Sequence, residues 1–177
     1  MNYSNKEIEN IVNKTFVGLT MFVKDINLSE ELENKYIPGI ILREKGYIDA
    51  TSVIGGIPTT HRYCILSNHM CDLSQVVSEV INGHCLSKRD GHFKVLDKFK
   101  FNDNTIIILL HLPDDDDWKM FQNTKINFED EMISKTMEIA NRKFNLKPIK
   151  EFSTIEWLER CSLPIGISSE GIIFDLE

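Results

Sequence analysis

The chain has 177 residues, of which 42% are hydrophobic and 27% are charged, and its formal net charge is −7. A chain of this size and composition can bury a core without disulfides, so we predict a single domain spanning residues 1–177. The acidic balance excludes non-specific nucleic-acid binding, which needs a basic surface, but it permits a basic protein partner. No apolar run is long enough to cross a membrane and no secretory signal pattern is present, so we predict a cytoplasmic protein with no membrane association.

The first predicted element is a long amphipathic helix. Ser4 and Glu7 have the spacing of a capping box, and the apolar residues that follow recur at helical intervals. The pattern predicts a helix from about Asn5 to Lys24.

Strands are predicted next, as an antiparallel β-meander. Its strands cover residues 39–44, 47–54 and 60–67, and the glycine pair Gly55-Gly56 has the character of a hairpin turn. A helix is then predicted over residues 73–82.

The helix prediction for residues 73–82 depends on its cap and its apolar stripe. Asp72 is a good N-cap residue, and Gln75 stands where a capping box places a glutamine. The apolar residues of the stripe recur at helical intervals: Leu73, Val76, Val77, Val80 and Ile81. We expect the first four of them to be buried against the sheet.

A second hairpin has the clearest strand pattern in the chain. Residues 93–101 alternate between apolar and polar, and residues 105–112 return after a turn at 102–104. The return strand is apolar on both faces, which is typical of a central strand covered on both sides. We expect Ile106–Leu110 to lie at the centre of the sheet.

The last third of the chain is predicted to be mainly helical. The patterns predict helices over residues 128–144 and 154–161, followed by a final strand over residues 171–176. Phe152 and Trp157 have the spacing of a hydrophobic staple. Together the elements predict an α+β fold, in which an antiparallel or mixed sheet packs against amphipathic helices.

Asp97 and His111 are the first candidates for chemistry. A three-residue turn would place them diagonally on one buried face of the hairpin, and a buried carboxylate needs a partner. A His111–Asp97 dyad with Cys64 or Ser67 as the nucleophile would make a small hydrolase. The structural alternative is a simple ion pair, because neither nucleophile lies in a strained elbow motif.

A metal site is a weaker hypothesis. His61, His69 and Asp72 lie in one stretch, but two histidines eight residues apart in a strand are separated by about 26 Å. The cysteines form no C-x-x-C pair, so we expect reduced and mostly buried thiols rather than a zinc site. The sequence therefore predicts no metal and no cofactor.

The acidic run Asp114–Asp117, followed by Trp118, has two interpretations. Consecutive carboxylates favour a helix N-terminus, where the helix dipole stabilises negative charge. The alternative is an acidic surface that binds a basic protein, with Trp118 partly exposed as an aromatic anchor. With no catalytic motif in the chain, the sequence favours a non-enzymatic binding protein of the immunity or inhibitor type, and the hydrolase is the second hypothesis.

Overall fold

A computed structural model of the chain describes residues 3–122 and 124–176. The fold is α+β, as predicted, and is built on a mixed eight-stranded sheet. The helices are α1 (Asn5–Phe16), α2 (Glu30–Glu33), α3 (Glu129–Lys143) and α4 (Ile155–Arg160). The strands are β1 (Thr20–Ile26), β2 (Ile41–Glu44), β3 (Asp49–Thr51), β4 (His61–Ser67), β5 (Cys71–Asp72), β6 (His84–Leu86), β7 (Gly91–Phe101) and β8 (Asn104–His111).

The strands are arranged in the order β2-β7-β8-β4-β1-β3-β6-β5. All neighbouring pairs are antiparallel except β4 and β8, which run parallel at the centre of the sheet. Every side chain from Ile106 to Leu110 is fully buried, which confirms the prediction of a central strand. No helix in the described part of the chain is long and apolar enough to cross a bilayer.

Both faces of the sheet are covered, and so the core has two layers. Helices α1 and α3 and the segment around Trp118 pack on one face, over residues such as Ile106 and Ile108. The segment after α4, through Ile165 and Ile167, packs on the other face. This double coverage explains why β8 has no polar face.

Helix α1 is shorter than predicted. Its capping box at Ser4 and Glu7 is confirmed, but it ends at Phe16, and residues Thr20–Ile26 form a strand paired with β3 and β4. Gly18 has φ of +77°, a conformation that glycine adopts without a steric penalty and that ends the helical run. Strand β1 begins with the apolar run Met21–Val23, so its pattern alone resembles a continuation of the helix.

The helix predicted over residues 73–82 is wrong. Asp72 does cap the segment, because its carboxylate accepts a hydrogen bond from the Ser74 N–H, but only Leu73–Gln75 form a short 3-10 turn. Val76 and Val77 are 72% and 45% exposed, so their stripe has no surface to cover. Without burial, the low helix propensity of β-branched residues prevails.

The β-meander predicted over residues 39–67 is also wrong, although strands form near each predicted position. Its strands are not neighbours, since β2 pairs with β7, β3 lies between β1 and β6, and β4 lies between β1 and β8. Gly55 and Gly56 make no hairpin turn. A Cβ on Gly56 would lie 1.9 Å from the Leu146 carbonyl oxygen, so this glycine permits close approach of another loop.

The second hairpin is confirmed, with a different register. Strands β7 and β8 pair through a tight turn at Asn102, and a bulge between Val95 and Asp97 shifts the pairing. The predicted three-residue turn would have placed His111 opposite Val95, but the shorter turn and the bulge together place it opposite Phe93. A bulge adds one residue to one strand, and the residues beyond it change partners.

The predicted C-terminal helices form as α3 and α4. The cap position of α3 is Phe128, where no side-chain hydrogen bond closes the helix end. Thr154 caps α4, and Phe152 and Trp157 pack edge to face at 4.7 Å, as the staple spacing predicted. The final strand is reduced to a single bridge between Ile167 and Ile173.

Candidate metal centre

The candidate site lies at the carboxyl ends of the two parallel strands. Ser67 ends β4 and His111 ends β8, and the preceding residues Leu66 and Leu110 are register partners. The loops that leave parallel neighbours start from the same edge of a sheet, and ligand sites of open sheets commonly lie there. These two loops bring His69 and Asp114 to His111.

The ligand atoms of these three side chains converge. One ring nitrogen from each of His69 and His111 and one carboxylate oxygen from Asp114 all lie within 4.8 Å of one another. The two imidazole rings are 3.9 Å apart between centroids, and His69 Nε2 lies 3.6 Å from Asp114 Oδ1. Donor atoms of a tetrahedral zinc site are roughly 3.3 Å apart, so small side-chain rotations would bring all three donor atoms within bonding distance of one ion.

Asn68 fixes the tautomer of His69. The Asn68 amide nitrogen donates hydrogen bonds to the Lys14 and Val17 carbonyl oxygens at 2.8 and 2.9 Å, which determines how the amide is oriented. The Asn68 amide oxygen then faces His69 Nδ1 at 2.6 Å, and because this oxygen only accepts, Nδ1 carries the proton. The lone pair of His69 is left on Nε2, which has no hydrogen-bond partner within the described residues.

His111 presents its Nε2 in the same way. Its Nδ1 lies 2.9 Å from Ser67 Oγ, and Phe93 stacks on the imidazole at 4.3 Å. Among the residues that the structure describes, none bonds to His111 Nε2, although the side chain is fully buried. Gly91 leaves room at this atom, since a Cβ there would lie 3.0 Å from Nε2.

The local electrostatics keep both imidazoles neutral. Burial lowers the pKa of His111 well below its usual value, and the nearby His69, His92 and Lys88 lower it further. Burial also lowers the pKa of His69, against the opposing effects of the Asp114 carboxylate and the Leu112 carbonyl. A neutral imidazole is the form that ligates a metal, so the ligands need not lose a proton at neutral pH.

An open pocket of about 460 Å³ gives access to the centre. It is lined by Lys14, Asn68, His69, Pro113, Asp114 and Asp115. The cluster therefore combines two buried imidazole nitrogens with a carboxylate at the edge of a polar pocket. Chemically, it can hold a divalent transition metal and leave one coordination position open to the pocket.

The predicted His111–Asp97 dyad does not form. The turn is one residue shorter than predicted, so Asp97 pairs with Ile108, and its carboxylate accepts a hydrogen bond from the Lys98 N–H at 2.8 Å. Burial raises the pKa of the Cys64 thiol to about 12, which keeps the thiol protonated. The partner that His111 does have is Ser67, and that side chain is also fully buried.

The other candidate metal residues are separated. His61 Nε2 lies 2.9 Å from the Glu33 carboxylate, at the opposite end of β4 from His69. Asp72 caps the short turn that follows it. The sequence therefore identified His69 but not its partners, which come from the other parallel strand and its loop.

The acidic run forms a helix N-terminus, the first of its two predicted interpretations. Asp115 caps a 3-10 helix over Asp116–Phe121. The carboxylates pair with lysines of the same chain: Asp115 and Asp117 with Lys14, Asp114 with Lys88, and Asp116 with Lys119. Trp118 is only 5% exposed and stacks on His92 at 4.2 Å, so it is not the exposed anchor that a binding surface required.

Comparison with known proteins gives similar folds only among solved structures. No protein-family model matches the chain, and no curated protein matches it. The type III effector XopAI from Xanthomonas axonopodis pv. citri is 8% identical over 57% of this chain and 44% of that chain, with a TM-score of 0.47. The ADP-ribosyltransferase HopU1 of Pseudomonas syringae pv. Tomato DC3000 is 11% identical over 53% of this chain and 46% of that chain, also with a TM-score of 0.47. The chain thus spans less than half the length of either protein.

The prediction of a non-enzymatic binding protein is wrong. Within this chain, the carboxylates expected to attract a basic partner are paired with its own lysines, and the expected anchor Trp118 is buried. The hydrolase hypothesis is wrong in its geometry, because Asp97 does not reach His111.

Proposed function

We propose that the protein is a metal-dependent enzyme whose divalent transition metal is held by His69, His111 and Asp114. The observation that carries the proposal is the pair of buried Nε2 atoms, on two histidines of one close cluster, that have no hydrogen-bond partner among the described residues. A buried polar atom without a partner is costly, and a shared metal ion would satisfy both nitrogens at once. This departs from the expectation of no metal, which considered His69 only with residues near it in sequence.

Each residue has a distinct part in the proposed centre. His69 and His111 ligate through Nε2, and each donates its Nδ1 hydrogen to a second residue, Asn68 or Ser67. Such outer hydrogen bonds orient ligating histidines and raise their basicity. Asp114 supplies an anionic oxygen: its Oδ1 lies 3.6 Å from His69 Nε2, while its Oδ2 pairs with Lys88 at 3.0 Å. When bound, a metal with three protein ligands supplies Lewis-acid chemistry at its open position.

Metal binding is tested on the full chain after treatment with a chelator. A site with two imidazole donors and one carboxylate suits Zn²⁺ and Co²⁺, whereas Mg²⁺ prefers oxygen ligands and serves as the negative control. We expect one Co²⁺ to bind with the visible spectrum of a site of low coordination number, and Zn²⁺ to displace it. In a separate titration of the Co²⁺-loaded protein, azide should change the visible spectrum, because the open coordination position accepts an exogenous ligand.

Variants assign the binding to this cluster. His69→Ala removes a ligand and should weaken Zn²⁺ binding by more than the 10–100-fold that loss of an outer-shell partner typically causes. Gly91→Ala keeps all three ligands and places a methyl group 3.0 Å from His111 Nε2, so it should also weaken binding. His61→Gln is the matched control, since His61 bonds to Glu33. Equal Zn²⁺ affinity in the wild type and His69→Ala would refute the proposal.

The free thiols support a cytoplasmic location as a further part of this proposal. All four cysteines are free, and three of them are buried. A reducing compartment keeps the exposed Cys71 in this form.

A further inference from the structure

Helix α1 has few attachments to the rest of the fold. Only Ile11 and Thr15 are buried within it, and open clefts of about 780 and about 500 Å³ lie along its two sides. An element with little buried surface opens locally at a low free-energy cost. What holds α1 is therefore concentrated in a few contacts.

The C-terminal end of α1 is held by the two loops that carry the proposed metal ligands. The Asn68 amide donates to the carbonyl oxygens of Lys14 and Val17, which a helix end leaves without intrahelical partners. The Lys14 ammonium pairs with Asp115 and Asp117. Asn68 adjoins His69 in one loop, and Asp115 adjoins Asp114 in the other.

We infer that Asn68 is a positioning residue that couples metal occupancy at the proposed centre to the docking of α1. The inference rests on the proposed function, because it requires an ion on His69 and Asp114. The amide nitrogen of Asn68 donates to the end of α1, and the amide oxygen accepts from His69 Nδ1. A single amide orientation satisfies both contacts.

The coupling follows from linkage. An ion that fixes His69 also fixes the amide that accepts from it, and the same amide then presents both N–H groups to the helix. An ion on Asp114 orders the adjacent Asp115, which holds Lys14. By reciprocity, docking of α1 raises the affinity for the metal by the same factor by which the bound metal raises the equilibrium constant for docking.

Hydrogen exchange measured by mass spectrometry tests this inference. We expect Zn²⁺ to slow the exchange of the wild-type α1 amides by about tenfold relative to chelator-treated protein, which lies within the usual range of coupling between two sites. Strand β8, which is fully buried over Ile106–Leu110, serves as the internal reference, and its exchange should change much less. The affinity for Zn²⁺ is measured on the same samples.

Two substitutions at Asn68 separate a positioning role from a merely structural one. Asn68→Asp keeps an oxygen acceptor for His69 Nδ1–H and loses the N–H donors to α1. Its Zn²⁺ affinity should fall only by the coupling factor of about tenfold that the docked helix contributed, while α1 exchanges rapidly with or without metal. Asn68→Ala also loses the contact to His69 Nδ1 and should weaken Zn²⁺ binding by a further factor of about 10–100. Asn104→Ala is the control, because its amide bonds to the Thr59 carbonyl instead.

The outcomes distinguish the two proposals. Wild-type protein that binds Zn²⁺ without slower exchange in α1 would overturn the coupling and leave the metal centre intact. Equal Zn²⁺ affinity in Asn68→Ala and wild type would overturn the positioning role of Asn68. Failure of the wild type to bind Zn²⁺ would overturn the proposed function, and the inference with it.

Discussion

Replacing Lys24 by methionine should stabilise the protein. Lys24 lies in β1 and is only 4% exposed, and no hydrogen bond or ion pair to its ammonium is found in residues 3–122 and 124–176. Burial lowers the pKa of Lys24, while the nearby Cys161, Asp49 and Glu44 oppose the shift. A methionine keeps most of the aliphatic stem and removes the amine.

The expected size of the gain follows from the cost of an unpaired buried polar group. Leaving such a group unsatisfied costs about 1–3 kcal/mol, and more when it is charged. Volume-conserving apolar replacements cost less than about 1.5 kcal/mol. The free energy of unfolding of Lys24→Met should therefore exceed that of the wild type by about 1–2 kcal/mol at pH 7.

The pH dependence has a definite sign. The pKa of Lys24 is lower in the folded state than in the unfolded state, so the unfolded chain binds more protons between the two values. Wild-type stability at this site therefore rises with pH across the window from the lowered pKa up to the normal lysine value of about 10.4. The advantage of Lys24→Met should be largest at neutral pH and should shrink as the pH approaches 10.

The assay is urea unfolding at pH 7 and pH 9.5, with Lys94→Met as the matched control. Lys94 is equally buried but donates to the Glu129 carboxylate at 2.7 Å. Replacing Lys94 leaves the buried Glu129 carboxylate without its cation and should destabilise the protein by about 3–5 kcal/mol. Destabilisation by both substitutions, to a similar extent, would refute the claim that the Lys24 ammonium is uncompensated.

Three further predictions concern thiols, a close backbone contact and a buried ion pair. Under native conditions a thiol reagent should modify Cys71 rapidly and the other three cysteines slowly, as measured by intact mass, because Cys71 alone is exposed. Gly56→Ala should lower stability in urea unfolding by at least about 1–3 kcal/mol, since its Cβ would lie 1.9 Å from the Leu146 carbonyl oxygen, whereas Gly46→Ala would meet only the end of a flexible side chain. Arg62→Met should destabilise the protein by about 3–5 kcal/mol in the same assay, because it leaves the Asp25 carboxylate buried without its bidentate partner at 2.6 and 2.7 Å.

Local patterns in the sequence predicted the elements whose stability is local. The capping box at Ser4, the β7–β8 hairpin, α3 and the Phe152–Trp157 contact all depend on residues close together in the chain, and all are present. The helix predicted over residues 73–82 did not form, because its stability would have depended on contacts with distant parts of the chain. Its valine stripe would form a helix only with a surface to cover, and that requirement is not visible in the segment itself.

The candidate site could be predicted only in part, because it depends on long-range pairing. The sequence patterns singled out His111 and His69, but each was given a partner from its own neighbourhood, Asp97 or Asp72. The predicted sheet was antiparallel or mixed, but its strands were assigned only to hairpins, so the parallel contact that joins Ser67 to His111 was not foreseen. The available signal was the run Ile106–Leu110, which is apolar on both faces, as strands in parallel pairs commonly are.

The parallel pairing of β4 with β8 also determines when the molecule can acquire its site. Each β4 residue pairs with one that follows it by some forty positions, as Leu66 does with Leu110. Contacts between distant segments form slowly, because the entropy of closing the intervening loop is lost before the contacts are gained. His69 precedes β7 in the chain, so the cluster cannot assemble until His111 and Asp114 are also in place. During synthesis on the ribosome, the three side chains can meet only after β8 has emerged and inserted beside β4.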